Sequence, residues 1–378
     1  MIDGWTRRRL LRLLAEGALG LSACRRPGPR SRARFDGFPI ARVDALLTPL
    51  DEFFVRDHFG LPEVAGRADG WRLSIEGEVE APLSLSLAEL SQTPVELPVT
   101  LECAGNAGRN GLGPPGAGRA FSGASTGSFA GVSLAGLLGR AKPRPGAVEV
   151  VSVGADEGSE SGDPARHPFA RSVPLEAALA PSALLATRMN GGPLPALHGG
   201  PLRAIFPGRY ATDSVKWLRR LIVVSKPFEG FYQRRRYVRV SDDAPDGRTL
   251  GELRIQSEIG RPRPGARLPA GLEVDVIGAA WGGRGGAARM EISVDGGRTF
   301  HEAELLDPPN PFAWRRFHWR WTPATRGPRL LFARATDRAG NSQPLQSDEE
   351  GGRSRSRSGP DRIQYANDSA LIVPVWVV

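Results

Sequence analysis

Residues 289–305, RMEISVDGGRTFHEAEL, decide the fold of the C-terminal part of the chain. Two stretches suited to β-strands, 289–294 and 300–305, flank Asp295-Gly296-Gly297, a sequence that favours a tight hairpin turn. Further short strands, separated by Gly and Pro turns, are predicted over residues 272–277, 317–321 and 330–336. Short strands at this spacing indicate a β-sandwich of immunoglobulin size. The paired cysteines of antibody domains are missing from the sequence, so only the architecture follows.

The sequence before this sandwich mixes the two kinds of secondary structure. Strand patterns occur at residues 71–77, 148–153 and 221–224, and helical patterns at residues 133–140 and 175–187. The turn-forming residues 241–247 separate the two regions. We therefore predict an α+β protein, with a mixed α/β domain at 47–245 and an immunoglobulin-like β-sandwich at 252–378. A flexible arm rich in Pro, Arg and Gly is predicted at 25–46.

The first 24 residues are predicted to be an export signal. Residues 6–12, TRRRLLR, have the twin-arginine pattern, and the apolar run after them is too short and too polar to span a bilayer. Residues 21–24, LSAC, resemble a lipobox, in which Cys24 becomes a lipidated N-terminus. The alternative is a disordered basic tail. The order and spacing of the two signals favour export of a folded protein to the periplasm, with a lipid anchor at Cys24 as a further expectation.

The positive charge of the chain comes mostly from this leader. Residues 1–34 contain nine arginines against Asp3 and Glu16, a net +7 of the total +9. The remaining +2 gives nucleic-acid binding little support. No stretch of about 20 apolar residues occurs in the sequence, so no membrane span is predicted.

Cys103, in the segment TLECAGN at residues 100–106, is the only cysteine outside the leader. Without a second cysteine in the body of the protein it has no partner for an internal disulfide, and one sulfur cannot build a zinc or iron–sulfur site. Three interpretations remain. Cys103 is an inert core thiol, a nucleophile, or the one protein ligand to a metal that a cofactor carries.

Segments rich in cationic and imidazole side chains lie beside Gly and Pro turns in the same region: FFVRDH at 53–58, HGGPLR at 198–203 and SVKW at 214–217. Taken alone, each has an ordinary structural explanation, such as a surface ion pair or a buried histidine. Together they offer donors suited to a phosphate and a polar heterocycle, namely Arg56, His58, His198, Arg203, Ser214 and Lys216. Neither a Walker loop nor a Rossmann glycine pattern is present, so a common nucleotide is not indicated.

These segments, in this order, resemble the sulfite oxidase family of molybdopterin-dependent oxidoreductases. The resemblance lies in residues 53–58, 101–106, 198–203, 206–208 and 214–218. The C-terminal part resembles the dimerisation domain of the family, through residues 278–281, 293–297, 313–315, 334–337 and 343–344. The resemblance implies a molybdopterin domain of the sulfite oxidase type followed by a dimerisation domain, and hence a homodimer. Trp281, Trp314, Trp319 and Trp321 could serve the dimer interface or the sandwich core.

The resemblance also implies a role for each matching residue. Cys103 would be the molybdenum ligand, and Tyr237, Arg56 and Arg109 would face the substrate. The cofactor would be held by Phe54, Arg56, His58, Cys103, Asp156, His198, Arg203, Ser214 and Lys216. A planar guanidinium such as that of Arg56 can bind a small oxyanion through two hydrogen bonds.

Several positions depart from the family pattern, all on the substrate side. The arginine expected five residues after the cysteine is replaced by Gly108, and Arg109 follows it. No tryptophan occurs around Phe121, and Phe129 occupies the position of a packing tryptophan. The region 362–369 has no clear counterpart of the C-terminal arginine that binds sulfite in animal enzymes. The resemblance therefore supports cofactor binding by this chain better than it identifies the substrate.

The implied activity is oxygen-atom transfer at a Mo-oxo centre, with oxidation of sulfite to sulfate as the leading reaction. The chain has no haem motif, so electrons would pass to a separate carrier, with a cytochrome c as the candidate. The alternatives are a sulfoxide reductase of the same family, whose branch typically lacks the sandwich, and a lipid-anchored binding protein that has lost catalysis.

Overall fold

The computed structural model of the chain describes residues 35–36, 38–39, 42–90, 94–106, 121–160, 163–241, 244–345 and 369–378. Three predictions lie outside the described residues: the export signal and lipobox at 1–24, most of the arm at 25–46, and the placement of Arg109. Within the described ranges, no helix is both long enough and apolar enough to cross a membrane.

The N-terminal region is built mainly from β-strands. Its strands are β1 (Phe35–Asp36), β2 (Phe38–Pro39), β3 (Val55–Arg56), β4 (Arg72–Gly77), β5 (Leu83–Ser86), β6 (Val95–Glu102), β7 (Phe121–Ser122), β8 (Ala124–Ser133), β9 (Glu149–Glu160), β10 (Asp163–Pro174), β11 (Leu184–Met189), β12 (Gly192–Pro193), β13 (Arg203–Ile205), β14 (Leu218–Val224), β15 (Val238–Ser241) and β16 (Ala244–Thr249). Its helices are α1 (Leu87–Leu90), α2 (Leu134–Ala141) and α3 (Leu175–Ala178), with a 3-10 helix at Ala196–His198 and a π-helical turn at Tyr232–Arg236.

Two sheets organise this region. The first has the order β10-β9-β14-β4-β5, in which β4 and β14 are parallel and the other neighbours are antiparallel. The second has the order β12-β11-β8-β6, and β13 also pairs with β11. Strand β6 leads directly into Cys103, whereas β9 carries Asp156. Both sheets therefore contribute side chains to the region around Cys103.

Helix α2 covers the first sheet with an apolar face. It starts after Ser133, whose Oγ accepts a hydrogen bond from the Gly136 N–H at 3.3 Å, and it ends at Lys142 with a left-handed φ of 56°. Its buried residues, at the spacing of one helical face, are Leu134, Leu137, Leu138 and Ala141. Each buried leucine contributes about 1.5–3 kcal/mol through removal from water, so this face holds the helix against Leu73 and Ile75 of β4.

The C-terminal region consists of the strands β17 (Gln256–Arg261), β18 (Arg267–Leu268), β19 (Val274–Trp281), β20 (Ala287–Ser293), β21 (His301–Leu305), β22 (Arg315–Trp321), β23 (Gly327–Asp337) and β24 (Ile372–Val377). They form one curled sheet with the order β17-β19-β22-β21-β20-β23-β24-β18. The two halves of this sheet enclose one apolar core, to which Val276 and Phe317 contribute from one half and Ile292, Leu331 and Val375 from the other. The predicted fold class, an α+β protein that ends in an immunoglobulin-like sandwich, is confirmed.

The hairpin predicted at Asp295 joins β20 to β21 in antiparallel register. The Asp295 carboxylate accepts hydrogen bonds from the backbone N–H groups of Arg298 and Thr299 and from the Thr299 hydroxyl, at 2.6 to 3.1 Å. These bonds outweigh the effect of burial and lower the pKa of Asp295 to about 2. The turn residue therefore stabilises the connection as an anion at neutral pH.

One helix prediction was wrong. The helix expected over 175–187 ends at Ala178, and Leu184–Met189 forms a strand instead. Pro181 lies between the two elements, and Leu184, Leu185 and Ala186 are fully buried between β8 and β13. An apolar run buried on both faces of a sheet lacks the period-two alternation that marks an ordinary strand, so its periodicity could not distinguish it from a helix.

The two regions meet at the loop that contains Cys103. Trp281 and Trp314 are buried there with Val43 and Ala124. The Trp281 indole N–H donates to Glu102 Oε2 at 3.0 Å. Of the four tryptophans considered for a dimer interface, two thus pack at this junction. Trp321 belongs to the sandwich core and Trp319 stacks on His301.

Candidate active site

The residues selected from the sequence converge on one cleft of about 610 Å³, measured with its mouth. Ten of them line it: Phe54, Arg56, His58, Cys103, Asp156, His198, Arg203, Ser214, Lys216 and Tyr237. They come from six separate stretches of the chain, so only folding brings them together. Arg109, the remaining candidate, lies outside the described residues.

Cys103 lies at the end of β6 in a tight turn. Its N–H donates to the Gly123 carbonyl oxygen at 2.8 Å, and its own carbonyl oxygen accepts from the Asn106 N–H at 2.8 Å. Asn106 Oδ1 accepts from the Gly123 N–H at 2.5 Å, which holds the turn against the start of β8. A side chain at Gly123 would lie 3.3 Å from the Cys103 Cβ. The thiol is partly exposed and faces the cleft, which disfavours the interpretation as inert core filling.

Arg203, which is buried, and Lys216, which is partly buried, bring two basic side chains to one wall. Arg203 donates to the carbonyl oxygens of Ser214 and His198, both at 3.0 Å, and Lys216 Nζ donates to the Leu197 carbonyl oxygen at 3.2 Å. Burial lowers the pKa of Arg203 to about 9. Burial, reinforced by the charge of Arg203, lowers the pKa of Lys216 to about 7. Cations removed from water in this way favour an anionic ligand.

His198 closes the same wall as a neutral imidazole. Burial lowers its pKa to about 4, and the hydrogen bond to the backbone opposes that shift without cancelling it. Because the Leu50 carbonyl oxygen can only accept, the 3.2 Å contact from Nε2 places the proton on Nε2. The close approach of this loop depends on Gly199 at φ +107°, where a Cβ would lie 2.9 Å from the Lys216 side chain.

Asp156, on the strand next to the Lys216 segment, supplies a buried acceptor. Its Oδ1 has no hydrogen-bond partner, and burial raises the pKa of the carboxyl to about 7 although Lys216 opposes the shift. A Cβ at Gly154 would come within 2.5 Å of this oxygen, so only glycine leaves the space open. A buried acceptor without a donor is costly. It suits a ligand that carries amino groups.

His58 and Tyr237 form the third wall. The imidazole Nε2 lies 2.7 Å from the Tyr237 hydroxyl, and Nδ1 lies 2.6 Å from Glu160 Oε1. Tyr237 follows the π-helical turn Tyr232–Arg236 and is buried. Arg56, at the end of β3, is half-buried and donates to the Asp57 carbonyl oxygen at 2.6 Å. A guanidinium and a phenol thus share the cleft with the thiol.

Sequence analysis missed several residues that shape this site. Arg171 is fully buried and donates twice to Asp213 Oδ1, at 2.7 and 3.0 Å. Asp213 directly precedes Ser214, which lines the cleft, and Tyr232 donates to Glu160 at 2.9 Å. A signal for Glu160 was available, because it lies four residues after Asp156 on the same strand and so projects from the same face. Arg171 and Asp213 are far apart in sequence and offered no local signal.

The substrate-side departures have a partial structural explanation. Phe129, at the position of an expected tryptophan, is fully buried and packs edge-on against Phe53 with ring centroids 6.2 Å apart. It therefore retains a packing role with a smaller ring.

The cleft fits a molybdopterin cofactor. The buried cations suit its phosphate, and the unpartnered Asp156 oxygen suits the amino groups of the pterin. No group of three or more His, Cys, Asp or Glu side chains that could hold a metal occurs in the part of the chain that the structure describes. Cys103 would then be the protein ligand to a metal whose other sulfurs come from the cofactor.

Two family models match the chain along these two regions. Residues 58–232 match the oxidoreductase molybdopterin binding domain, and residues 248–349 match the Mo-co oxidoreductase dimerisation domain. The protein is thus a molybdenum-dependent oxidoreductase that binds molybdopterin, and its C-terminal sandwich is a dimerisation domain.

Comparison with individual proteins narrows this class. The chain is 37% identical to the sulfite oxidase of Gallus gallus over 346 residues, which cover 85% of this chain and 74% of that protein. It is 36% identical to the mitochondrial sulfite oxidase of Rattus norvegicus over 330 residues, 81% of this chain and 59% of the rat protein. The crystal structure of the sulfane dehydrogenase SoxCD from Paracoccus pantotrophus superimposes with a TM-score of 0.77 and 27% identity, covering 93% of this chain and 86% of that one. The chain belongs to the sulfite oxidase family.

Proposed function

We propose that this protein oxidises sulfite to sulfate and passes the two electrons to a separate acceptor. The observation that carries the proposal is the shared cleft, in which the Cys103 thiol, the Arg56 guanidinium and the Tyr237 phenol lie among further cations. Its cationic lining suits a dianionic substrate and product. The similarity to two sulfite oxidases supports sulfite as the substrate.

Each residue of the cleft is assigned the role that its side-chain chemistry suits. The bound molybdenum cofactor would supply two-electron oxygen-atom transfer. Cys103 would hold the metal as a thiolate, while Lys216 and Arg203 balance the phosphate of the cofactor and Asp156 accepts hydrogen bonds from its amino groups. His198, Ser214, His58 and Phe54 would complete the cofactor-binding wall.

Substrate binding falls to the residues at the mouth of the cleft. Arg56 would bind the oxyanion through its planar guanidinium, and Tyr237 would orient the substrate or a water molecule. Arg109 is proposed as a second guanidinium for the same anion. Its place in the sequence, six residues after Cys103, is the support for this assignment.

The reaction needs partners that this chain does not supply. Sulfite and one water give sulfate, two protons and two electrons. A cytochrome c is the proposed electron acceptor. We also propose that the protein acts in the periplasm after twin-arginine export, with a lipid anchor at Cys24, on the support of residues 6–12 and 21–24. The matched dimerisation domain supports a homodimer.

Two other substrates deserve a direct comparison. The structural similarity to a sulfane dehydrogenase makes a sulfane the second candidate. Sulfoxide reduction is the third, and the sandwich domain argues against it. The alternative that is not an enzyme is a binding protein without catalytic activity.

A side-by-side assay tests these readings. Cofactor-loaded protein is supplied with sulfite, or with a sulfane, and an oxidised dye or cytochrome c, and in parallel with methionine sulfoxide and a reduced dye. We expect turnover with sulfite only, and loss of turnover in Cys103→Ser, which is the matched control. Sulfite turnover no faster than that of Cys103→Ser would reject the proposal.

Sedimentation that shows only monomer at micromolar concentration would reject the dimer.

A further inference from the structure

Glu160 is linked through His58 to Tyr237, and the latter two residues line the cleft. It ends β9 and its Oε1 lies 2.6 Å from His58 Nδ1. On the other side of the ring, Nε2 lies 2.7 Å from the Tyr237 hydroxyl. The imidazole therefore connects a carboxylate to the phenol that faces the cleft.

The charges around His58 favour a neutral ring beside an ionised carboxylate. Burial lowers the pKa of His58 to about 4, with Arg56 and Arg236 acting in the same direction against Glu160. Burial would raise the pKa of Glu160, but the hydrogen bond from His58, the charge of Arg236 and the Tyr232 hydroxyl outweigh it and keep the pKa of Glu160 below its usual value. The ring is otherwise enclosed by Phe59, Phe169 and Tyr232.

The ionised Glu160 and the neutral His58 together determine which nitrogen of the His58 ring carries the proton. A carboxylate only accepts, so the single imidazole proton lies on Nδ1 and points to Glu160. Nε2 then carries a lone pair, and the Tyr237 hydroxyl must donate to it. The same logic, a carboxylate that orients an imidazole base, applies to the triads of hydrolases.

We propose that Glu160 is a positioning residue that holds His58 in the Nδ1–H tautomer, so that His58 can accept the proton of Tyr237 during turnover. This inference rests on the proposed sulfite oxidation, which releases two protons for each sulfite. As a water molecule in the cleft loses a proton to the Tyr237 oxygen, the Tyr237 proton passes to His58 Nε2. The Glu160 carboxylate balances the charge of the imidazolium, which then loses its extra proton to solvent. The two electrons leave separately to the acceptor.

The position of Glu160 suits this role. Its side chain is 12% exposed, against 6% for His58, so it is the member of the pair that solvent reaches more easily. The Tyr232 hydroxyl donates to the same oxygen at 2.9 Å and fixes the carboxylate in place.

Two variants and one control test the proposal. Glu160→Ala removes the acceptor, and Glu160→Asp keeps a carboxylate on a shorter stem. Glu157→Ala is the matched control, because Glu157 lies on the same strand in an exposed pair with Arg166. The first readout needs no turnover: nitrogen-15 NMR of histidine-labelled full-length protein, in which the His58 signals are assigned by their loss in His58→Gln.

We expect the wild-type protein and Glu157→Ala to show the Nδ1–H pattern for His58, and Glu160→Ala to lose it. In the sulfite assay, kcat of Glu160→Ala should fall by about 10-fold or more, with a larger solvent deuterium isotope effect and an unchanged KM, and Glu160→Asp should recover part of the rate. An unchanged tautomer in Glu160→Ala would overturn the proposal. So would kcat and isotope effects within twofold of wild type. If sulfite is not a substrate at all, the proposed function fails, whereas the NMR pattern still decides the role of Glu160 in fixing the tautomer.

Discussion

Replacement of Arg171 by methionine should destabilise the N-terminal region and disturb the site at the same time. The Arg171 side chain is completely buried and donates to Asp213, to the Tyr232 carbonyl oxygen at 2.8 Å and to the Leu250 carbonyl oxygen at 2.7 Å. Its guanidinium carbon also lies 5.7 Å from the centre of the Tyr237 ring. One side chain thus links β10 to Asp213, which precedes Ser214 of the cleft, and to the π-helical turn that precedes Tyr237.

The expected loss of unfolding free energy follows from the groups that lose a hydrogen-bond partner in the variant. Removal of one partner from a buried ion pair costs about 3–5 kcal/mol, because the remaining charge stays buried. Here Asp213 keeps a second guanidinium, since Arg209 donates to its Oδ2 at 2.9 Å. The carbonyl oxygens of Tyr232 and Leu250 each lose a donor in addition, although that of Tyr232 keeps the Tyr237 N–H at 3.3 Å. We therefore expect a loss of unfolding free energy near the lower end, about 3 kcal/mol.

Urea unfolding followed by tryptophan fluorescence measures this loss. The matched control is Arg220→Met, since Arg220 pairs with Glu76 through both Nε and a terminal nitrogen but is 52% exposed. An exposed pair of that kind contributes about 0–1 kcal/mol. Equal losses in the two variants, or a loss below about 1 kcal/mol in Arg171→Met, would refute the account of the buried pair.

Three further predictions concern the cofactor and the domain junction. In protein without cofactor, Asp156 should favour the folded state less as pH rises from about 4 to 7, because its folded pKa of about 7 exceeds the usual value of 3.8. The buried His58 and His198, whose pKa values are lowered, act in the opposite direction over the same range. The stability of wild type relative to Asp156→Asn should therefore fall as pH rises, and parallel thermal-stability profiles of the two proteins would contradict the assignment. Lys216→Met should lower the amount of pterin retained after dialysis at least about 10-fold, because it removes a cation from the phosphate. Lys216→Arg should retain more pterin than Lys216→Met. Equal retention in both variants and wild type would exclude a contact between Lys216 and the phosphate. Trp281→Phe should cost about 1–3 kcal/mol because Glu102 loses a donor while buried, and Trp319→Phe, outside that junction, should cost less in the same thermal scan.

The motif residues could be found from the sequence because each lies in a short segment whose residue types and order are distinctive. The structure then places ten of them in one cleft. What each of them does to a bound cofactor or substrate stays a prediction, and so do the exact domain boundaries at 245 and 252. The short strands of the sandwich were also predictable, since Asp295 and the glycines after it define a local turn.

The parts that sequence analysis missed depend on contacts between distant segments. Arg171 and Asp213 are 42 residues apart, and neither has a neighbour in sequence that reveals the pair. The role of Glu160 arises from a contact with His58, in the loop that follows β3. Trp281 could not be assigned either, because an aromatic residue at the end of a strand suits a core, a dimer interface or a junction equally well.

X-ray absorption at the molybdenum edge, on cofactor-loaded full-length protein, tests the central claim most directly. If Cys103 binds the metal beside the two sulfurs of the cofactor, wild-type protein should show three sulfur neighbours and Cys103→Ser only two, at comparable molybdenum and pterin content. Three sulfur neighbours in the serine variant, or two in the wild type, would contradict the assignment of Cys103 and the mechanism built on it.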